Sequence, residues 1–173
     1  VQALDAEGQV IYVGTMSKTL FPSLRIGYVV LPSALLQPFL AIKHLSDRHT
    51  STLQQSVLAD FIGEGHFERH VRRARTQNAK RRATLLGALQ QAFGDRATVQ
   101  GSNAGLHLML WFSDRPASDT PAIVAAAAAA GVGVYPVDPY YLGAPPAAGL
   151  LLGYAALTER EIDAGIRQFG RAL

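Results

Sequence analysis

Lys18 is the residue in this sequence best placed for covalent chemistry. It is the only lysine in the first forty residues, and it follows the apolar run Val10-Ile11-Tyr12-Val13. Two hydroxyl residues stand beside it, Thr15 and Ser17, and a guanidinium follows at Arg25. A lysine at the mouth of a buried strand is costly unless something uses or neutralises its charge. A Schiff base to an aldehyde cofactor is one such use. Hydroxyls and a guanidinium nearby would then hold an anionic handle such as a phosphate. The bland alternative is an exposed strand-end lysine with a surface arginine.

The elements that must position these groups are two strands. The first, Val10 to Gly14, is fed by the turn signal Asp5-Ala6-Glu7-Gly8. The second, Ile26 to Leu31, is almost continuously apolar, as strands buried on both faces are. Pro22 restricts the turn between them. Ser33 suits an N-cap for a helix from Leu35 to Leu45, which Pro38 should bend or delay. A second helix is expected from Thr52 to Ile62, with Leu53, Val57, Leu58 and Phe61 at helical spacing. Gly63-Glu64-Gly65 breaks it, and a long arginine-rich helix runs from Phe67 to Phe93.

The second half reads strand, strand, helix, strand, strand, helix, an α/β sandwich. Its strands are Thr98 to Gln100, Leu106 to Phe112, Val132 to Pro136 and Gly149 to Tyr154. In the second of these, His107, Met109 and Trp111 share one face, and Leu106, Leu108, Leu110 and Phe112 the other. Thr120-Pro121 suits an N-cap and first helical position, with Gly131 just past the end. The last helix opens on the capping box Thr158-x-x-Glu161 and turns Ile162, Ile166 and Phe169 inward. His66 and His70 have a helical metal-ligand spacing, but no carboxylate or third histidine completes a set, and they read as surface residues. His107 reads as a structural histidine on a core strand.

The chain has 173 residues, 49% of them apolar, which is enough for a packed core and argues against disorder. No apolar run is long enough for a membrane span, and the N-terminus lacks a signal-peptide pattern. Cysteine is absent, so neither a disulfide frame nor thiolate chemistry is available. Together these features suggest a cytoplasmic protein. The net charge is +3 with pI near 9.4, and the excess sits mainly between Arg69 and Arg82. That cluster reads as a solvated helix face rather than a nucleic-acid stripe. The chain starts without methionine, like the tail of a longer protein.

The segment from Thr15 to Tyr28 resembles the lysine motif of fold-type I aminotransferases, S-x-S-K-x-x-x-P-G-x-R-x-G-[YW]. Thr15 stands at the first Ser, Ser23 at the Gly, and Ser17, Lys18, Pro22, Arg25, Gly27 and Tyr28 match. The wording is similar to the MocR-type members of the GntR transcription regulators, which join a DNA-binding winged helix to an aminotransferase-like domain. Gly63-x-Gly65, Gly105-Leu-His-Leu, Gly131-Val-x-Val and Leu152-Gly-Tyr-Ala155 extend the resemblance over nearly the whole chain. It implies that Lys18 forms the Schiff base to pyridoxal 5'-phosphate, and that Thr15, Ser17 and Arg25 hold the cofactor phosphate. It implies that residues 1–65 finish the large domain and that 66–173 form the small domain. It also implies a homodimer, a small-molecule effector or amino acid as ligand, and DNA contact only through an N-terminal domain outside this chain.

Two departures qualify the expectation. Catalytic aminotransferases place an arginine in the last strand, in a pattern like R-L-S-F, to grip the substrate carboxylate; here Leu151 stands there. A leucine cannot make a bidentate pair with a carboxylate. The family's glycine-rich loop, aromatic stacker and Asp-x-x-Tyr have no match in this chain, and Asp5 belongs to the turn instead. The cofactor is therefore expected in the intact protein and absent or disordered in this chain alone. Regulation is the leading reading and enzymatic activity stays open. The alternatives are a class I/II aminotransferase fragment, and a segment that only packs and dimerises.

Overall fold

The computed structural model describes residues 2–103 and 105–173. It is an α/β protein that separates into two compact units, Val1–Arg72 and Arg73–Leu173.

In the first unit, β1 (Tyr12–Thr15) and β2 (Gly27–Val30) form an antiparallel pair, with Gly14 opposite Tyr28 and Thr15 opposite Gly27. Two helices follow, α1 (Ser33–Ser46) and α2 (Thr52–Gly63). The turn before β1 is closed by Asp5, whose carboxylate accepts from the amides of Gln9 and Val10 at 3.1 and 2.8 Å. Those amides, Val10 first, hold the Asp5 carboxyl below the usual carboxylate range.

The burial expected for β1 and β2 is not found. Val13, Val29 and Val30 are exposed, and neither α1 nor α2 has a buried residue. Leu53 and Val57 keep helical spacing but face solvent. The apolar run correctly marks strand and helix, yet among the described residues of the unit no second layer covers these faces. Pro38 also does not delay α1, which starts at Ser33. Pro32 holds the N-cap place in extended backbone, so Ser33 is already helical.

In the second unit the remainder of α3 (His66–Phe93) is followed by β3 (Ala97–Gln100), β4 (His107–Phe112), α4 (Thr120–Ala129), β5 (Tyr135–Pro136), β6 (Gly149–Gly153) and α5 (Glu159–Ala172). The strands form an antiparallel sheet in the order β3-β4-β6-β5. Alternation along β4 and β6 sends Leu108, Leu110, Phe112, Leu150 and Leu152 to one face. There they meet Leu85, Leu89 and Phe93 of α3, Ile123 and Ala127 of α4, and Ile162, Ile166 and Phe169 of α5. Phe169 is fully buried, with the Phe93 ring edge-on at 5.3 Å. Burial on this scale, about 25 cal/mol per Å² of apolar surface, is what holds the sandwich together.

Local signals place the helix ends. The capping box at Thr158 and Glu161 is formed in both directions. At the end of α4, Val132 N–H donates to Ala127 O and Gly131 N–H to Ala128 O, with Gly131 at φ 74°. This is a Schellman arrangement. It also shortens the next strand: the Val132 amide serves the cap rather than a ladder, and only Tyr135–Pro136 pair with β6. Thr120 is not the α4 cap. The 3-10 turn Ala117–Asp119 runs straight into the helix, so Thr120 has helical backbone and Asp119 takes the cap position.

Candidate functional site

Two glycines bring β1 and β2 close enough to shape the Lys18 turn. A Cβ on Gly14 would lie 2.4 Å from the Tyr28 ring, and one on Gly27 would lie 2.8 Å from Gly14 O. At Gly27 the obstacle is backbone and only glycine fits, whereas at Gly14 the exposed Tyr28 ring would have to move aside. From this narrow end the chain leaves as a turn over Met16–Leu20. Met16 N–H donates to Ile26 O at 3.0 Å, and Leu20 N–H donates to Met16 O at 2.8 Å. Lys18 sits at the middle of the turn, exposed and in no ion pair among the described residues.

The Thr15 hydroxyl lies 3.1 Å from that of Ser17, and the Ser17 amide donates to Thr15 Oγ1 at 3.2 Å. Both hydroxyls are thereby fixed within three residues of the lysine amine. The return path passes through the 3-10 turn Pro22–Leu24 and then Arg25. Arg25 has φ 51° and ψ 32°, the left-handed region, and its amide donates to Pro22 O at 3.3 Å. A non-glycine residue there costs about 1–3 kcal/mol and persists only where its surroundings dictate it. Here Leu24 and Ile26, on either side, are both buried and pin the backbone.

The structure thus brings Thr15, Ser17 and Lys18 into one turn. The Met16–Ile26 rung joins Arg25's neighbour to it. The donor set, one primary amine, two hydroxyls and a guanidinium, suits an aldehyde bearing a phosphate.

Sequence reasoning missed one contributor. His70, read as a surface residue, is half-buried on α3, with Nε2 2.9 Å from the carbonyl oxygen of Thr19. Its partner is 51 positions away, so only the fold could reveal it. His66 pairs locally, with Glu64 at 3.1 Å and Arg69 at 2.8 Å. Among the described residues no three metal-binding side chains cluster, and no helix is long and apolar enough to cross a membrane. His107 is exposed at the start of β4, its ring lying over Gly153. Leu151 lies opposite Met109 and Tyr135, on the sheet face away from the helices.

Residues 1–169 match the family described as aminotransferase class I and II. The chain belongs to this family. It is 40% identical to the HTH-type transcriptional regulator YhdI of Bacillus subtilis (strain 168), over 99% of this chain and 36% of that protein. It is 36% identical to the "probable rhizopine catabolism regulatory protein MocR" of Rhizobium meliloti, over 99% of this chain and 34% of that protein. The chain therefore spans about a third of these relatives.

Among solved structures, the kynurenine aminotransferase of Pyrococcus horikoshii superposes with TM-score 0.88 at 26% identity, over 99% of this chain and 42% of that one. The α-aminoadipate aminotransferase LysN of Thermus thermophilus, complexed with N-(5'-phosphopyridoxyl)-L-leucine, gives 0.81 at 27%, over 95% of this chain and 41% of that one. The fold is that of the type I aminotransferases. The family and this complex together imply pyridoxal phosphate for the fold.

Proposed function

We propose that this chain is the C-terminal part of a pyridoxal-phosphate-binding, effector-sensing domain in an HTH-type regulator of the MocR type. In this reading residues 1–65 complete the large cofactor-binding domain and residues 66–173 are the small domain. The intact protein is a cytoplasmic homodimer that responds to a small-molecule effector or amino acid. It reaches DNA through a separate N-terminal domain.

The observation that carries the reading is the Lys18 turn. It carries a primary amine in the same turn as two fixed hydroxyls, and an arginine in a strained backbone conformation closes the same hairpin. Lys18 Nζ is the nucleophile for the cofactor aldehyde. The hydroxyls of Thr15 and Ser17 and the guanidinium of Arg25 orient its phosphate. Pyridoxal phosphate, when bound, supplies an electrophilic carbon and an electron-withdrawing ring. The likeness to YhdI and MocR favours regulation over turnover, and Leu151 agrees with that.

The aminotransferase reading has one observation of its own, the superposition on catalytic aminotransferases. The test that separates the two uses the intact protein, its DNA site and pyridoxal phosphate. A regulator should change its DNA-bound form on adding the cofactor, and Lys18→Ala should abolish that response. A cofactor-blind DNA complex, with amino-group transfer at ordinary enzymatic rates, would favour the enzyme.

A further inference from the structure

We propose that His70 is a positioning residue for the cofactor lysine, tethering the peptide that follows Lys18 to the start of the long helix α3. The proposal rests on reading Lys18 as the cofactor lysine. Its own observation is the 2.9 Å approach of His70 Nε2 to Thr19 O. A carbonyl oxygen only accepts, so Nε2 must carry the proton and donate. The contact therefore requires a proton on His70 Nε2 and sets the direction of the bond.

The turn needs such a tether. Its entry is held by the Thr15 hydroxyl and the Met16–Ile26 rung, and its closure by Leu20 N–H to Met16 O. These bonds lie within the hairpin and its turn, and the turn's lysine is exposed. His70 adds a restraint from a different element. The start of α3 carries side-chain contacts of its own. Arg69 meets His66 Nδ1, which leaves His66 Nε2 to donate to Glu64, and the Phe61 ring stacks on His66 at 5.7 Å. One helical turn further on, His70 projects from the same helix. A site supported by a helix is set more accurately than one carried by a loop alone.

The test uses the intact protein with three replacements. His70→Phe keeps the ring and removes the donor. His70→Gln keeps a donor at a similar reach. His70→Ala removes the donor with less bulk, and carries the same expectation should His70→Phe not fold. The first readout is amide hydrogen exchange over residues 17–20 without cofactor. The second is the apparent Kd for pyridoxal phosphate, followed by absorbance. Loss of one such hydrogen bond should speed exchange and weaken the cofactor about five- to tenfold, with His70→Gln close to the parent. Exchange and affinity unchanged in His70→Phe would overturn the proposal, as would His70→Gln behaving like His70→Phe. Faster exchange with unchanged affinity would also overturn it, since the tether would then not serve the cofactor. The exchange readout does not depend on the ligand. A parent protein that takes up no cofactor at Lys18 would instead defeat the functional reading itself.

Discussion

Leu151 of β6 stands directly opposite Met109 of β4, on the sheet face turned away from the helical core. By the resemblance to catalytic aminotransferases and their pattern R-L-S-F, Leu151 stands where an arginine would grip the substrate carboxylate. Leucine has no donor to offer a carboxylate. The intact protein should therefore show slow or absent transamination with common α-amino acids. Steady-state assays over a panel of amino donors check this. Rates in the ordinary enzymatic range, ~1–10³ s⁻¹, would contradict it.

The capping box that opens α5 gives a second test. Thr158→Ala removes the side chain that accepts from the Glu161 amide, and should cost about 1 kcal/mol in urea unfolding at neutral pH. Its partner titrates. The Thr158 backbone amide, and next its hydroxyl, hold the Glu161 carboxyl below its ordinary value of 4.5. A group whose folded pKa is depressed stabilises fully above the unfolded value and loses that stabilisation as pH falls through the folded one. The difference between parent and Thr158→Ala should therefore be largest above the carboxylate range and shrink on acidification. A difference that grows toward acid would show that the box is not formed by the carboxylate.

Gly149 offers a third, with an optical readout. A Cβ there would lie 2.5 Å from Trp111 Cζ3 and 2.6 Å from Val137 Cγ2. Overpacking of this kind costs about 1–3 kcal/mol. Trp111 is the only tryptophan in the chain and is buried, with Tyr141 edge-on at 6.0 Å. In the 173-residue chain Gly149→Ala should lower the unfolding midpoint and shift tryptophan emission to the red. Unchanged emission with full stability would mean that the indole has room to move aside.

Much of the second unit was legible in the sequence because its signals are local or periodic. Alternation along β4 separated Leu108, Leu110 and Phe112 from His107, Met109 and Trp111, and the structure shows the first set to be the one packed on the helices. The 3.6-residue spacing of Ile162, Ile166 and Phe169 marked the inward face of α5. Gly131 announced the end of α4 by its left-handed backbone. Other features depend on partners that no local pattern encodes. The apolar runs in β1 and β2 report that a strand wants covering, but not where the covering layer comes from. Thr120 looked like a cap because Thr-Pro commonly is one, yet the preceding 3-10 turn had already set helical backbone. In the site, Thr15, Ser17, Lys18 and Arg25 could be picked out because they share one hairpin. His70 could not, since its carbonyl partner lies in a turn 51 positions earlier.

Chemical trapping shows directly whether Lys18 is the cofactor lysine. The chain has three lysines, at 18, 43 and 80. Lys43 is engaged with Asp47 at 2.9 Å and donates to Thr50, whereas Lys18 is exposed, in the turn that follows the Thr15 and Ser17 hydroxyls. The intact protein would be incubated with pyridoxal phosphate, reduced with borohydride, digested and mapped by mass spectrometry. One pyridoxyl label per chain is expected, on the peptide carrying Lys18. A label on Lys43, Lys80 or a lysine outside this segment, or no label at saturating cofactor, would contradict it.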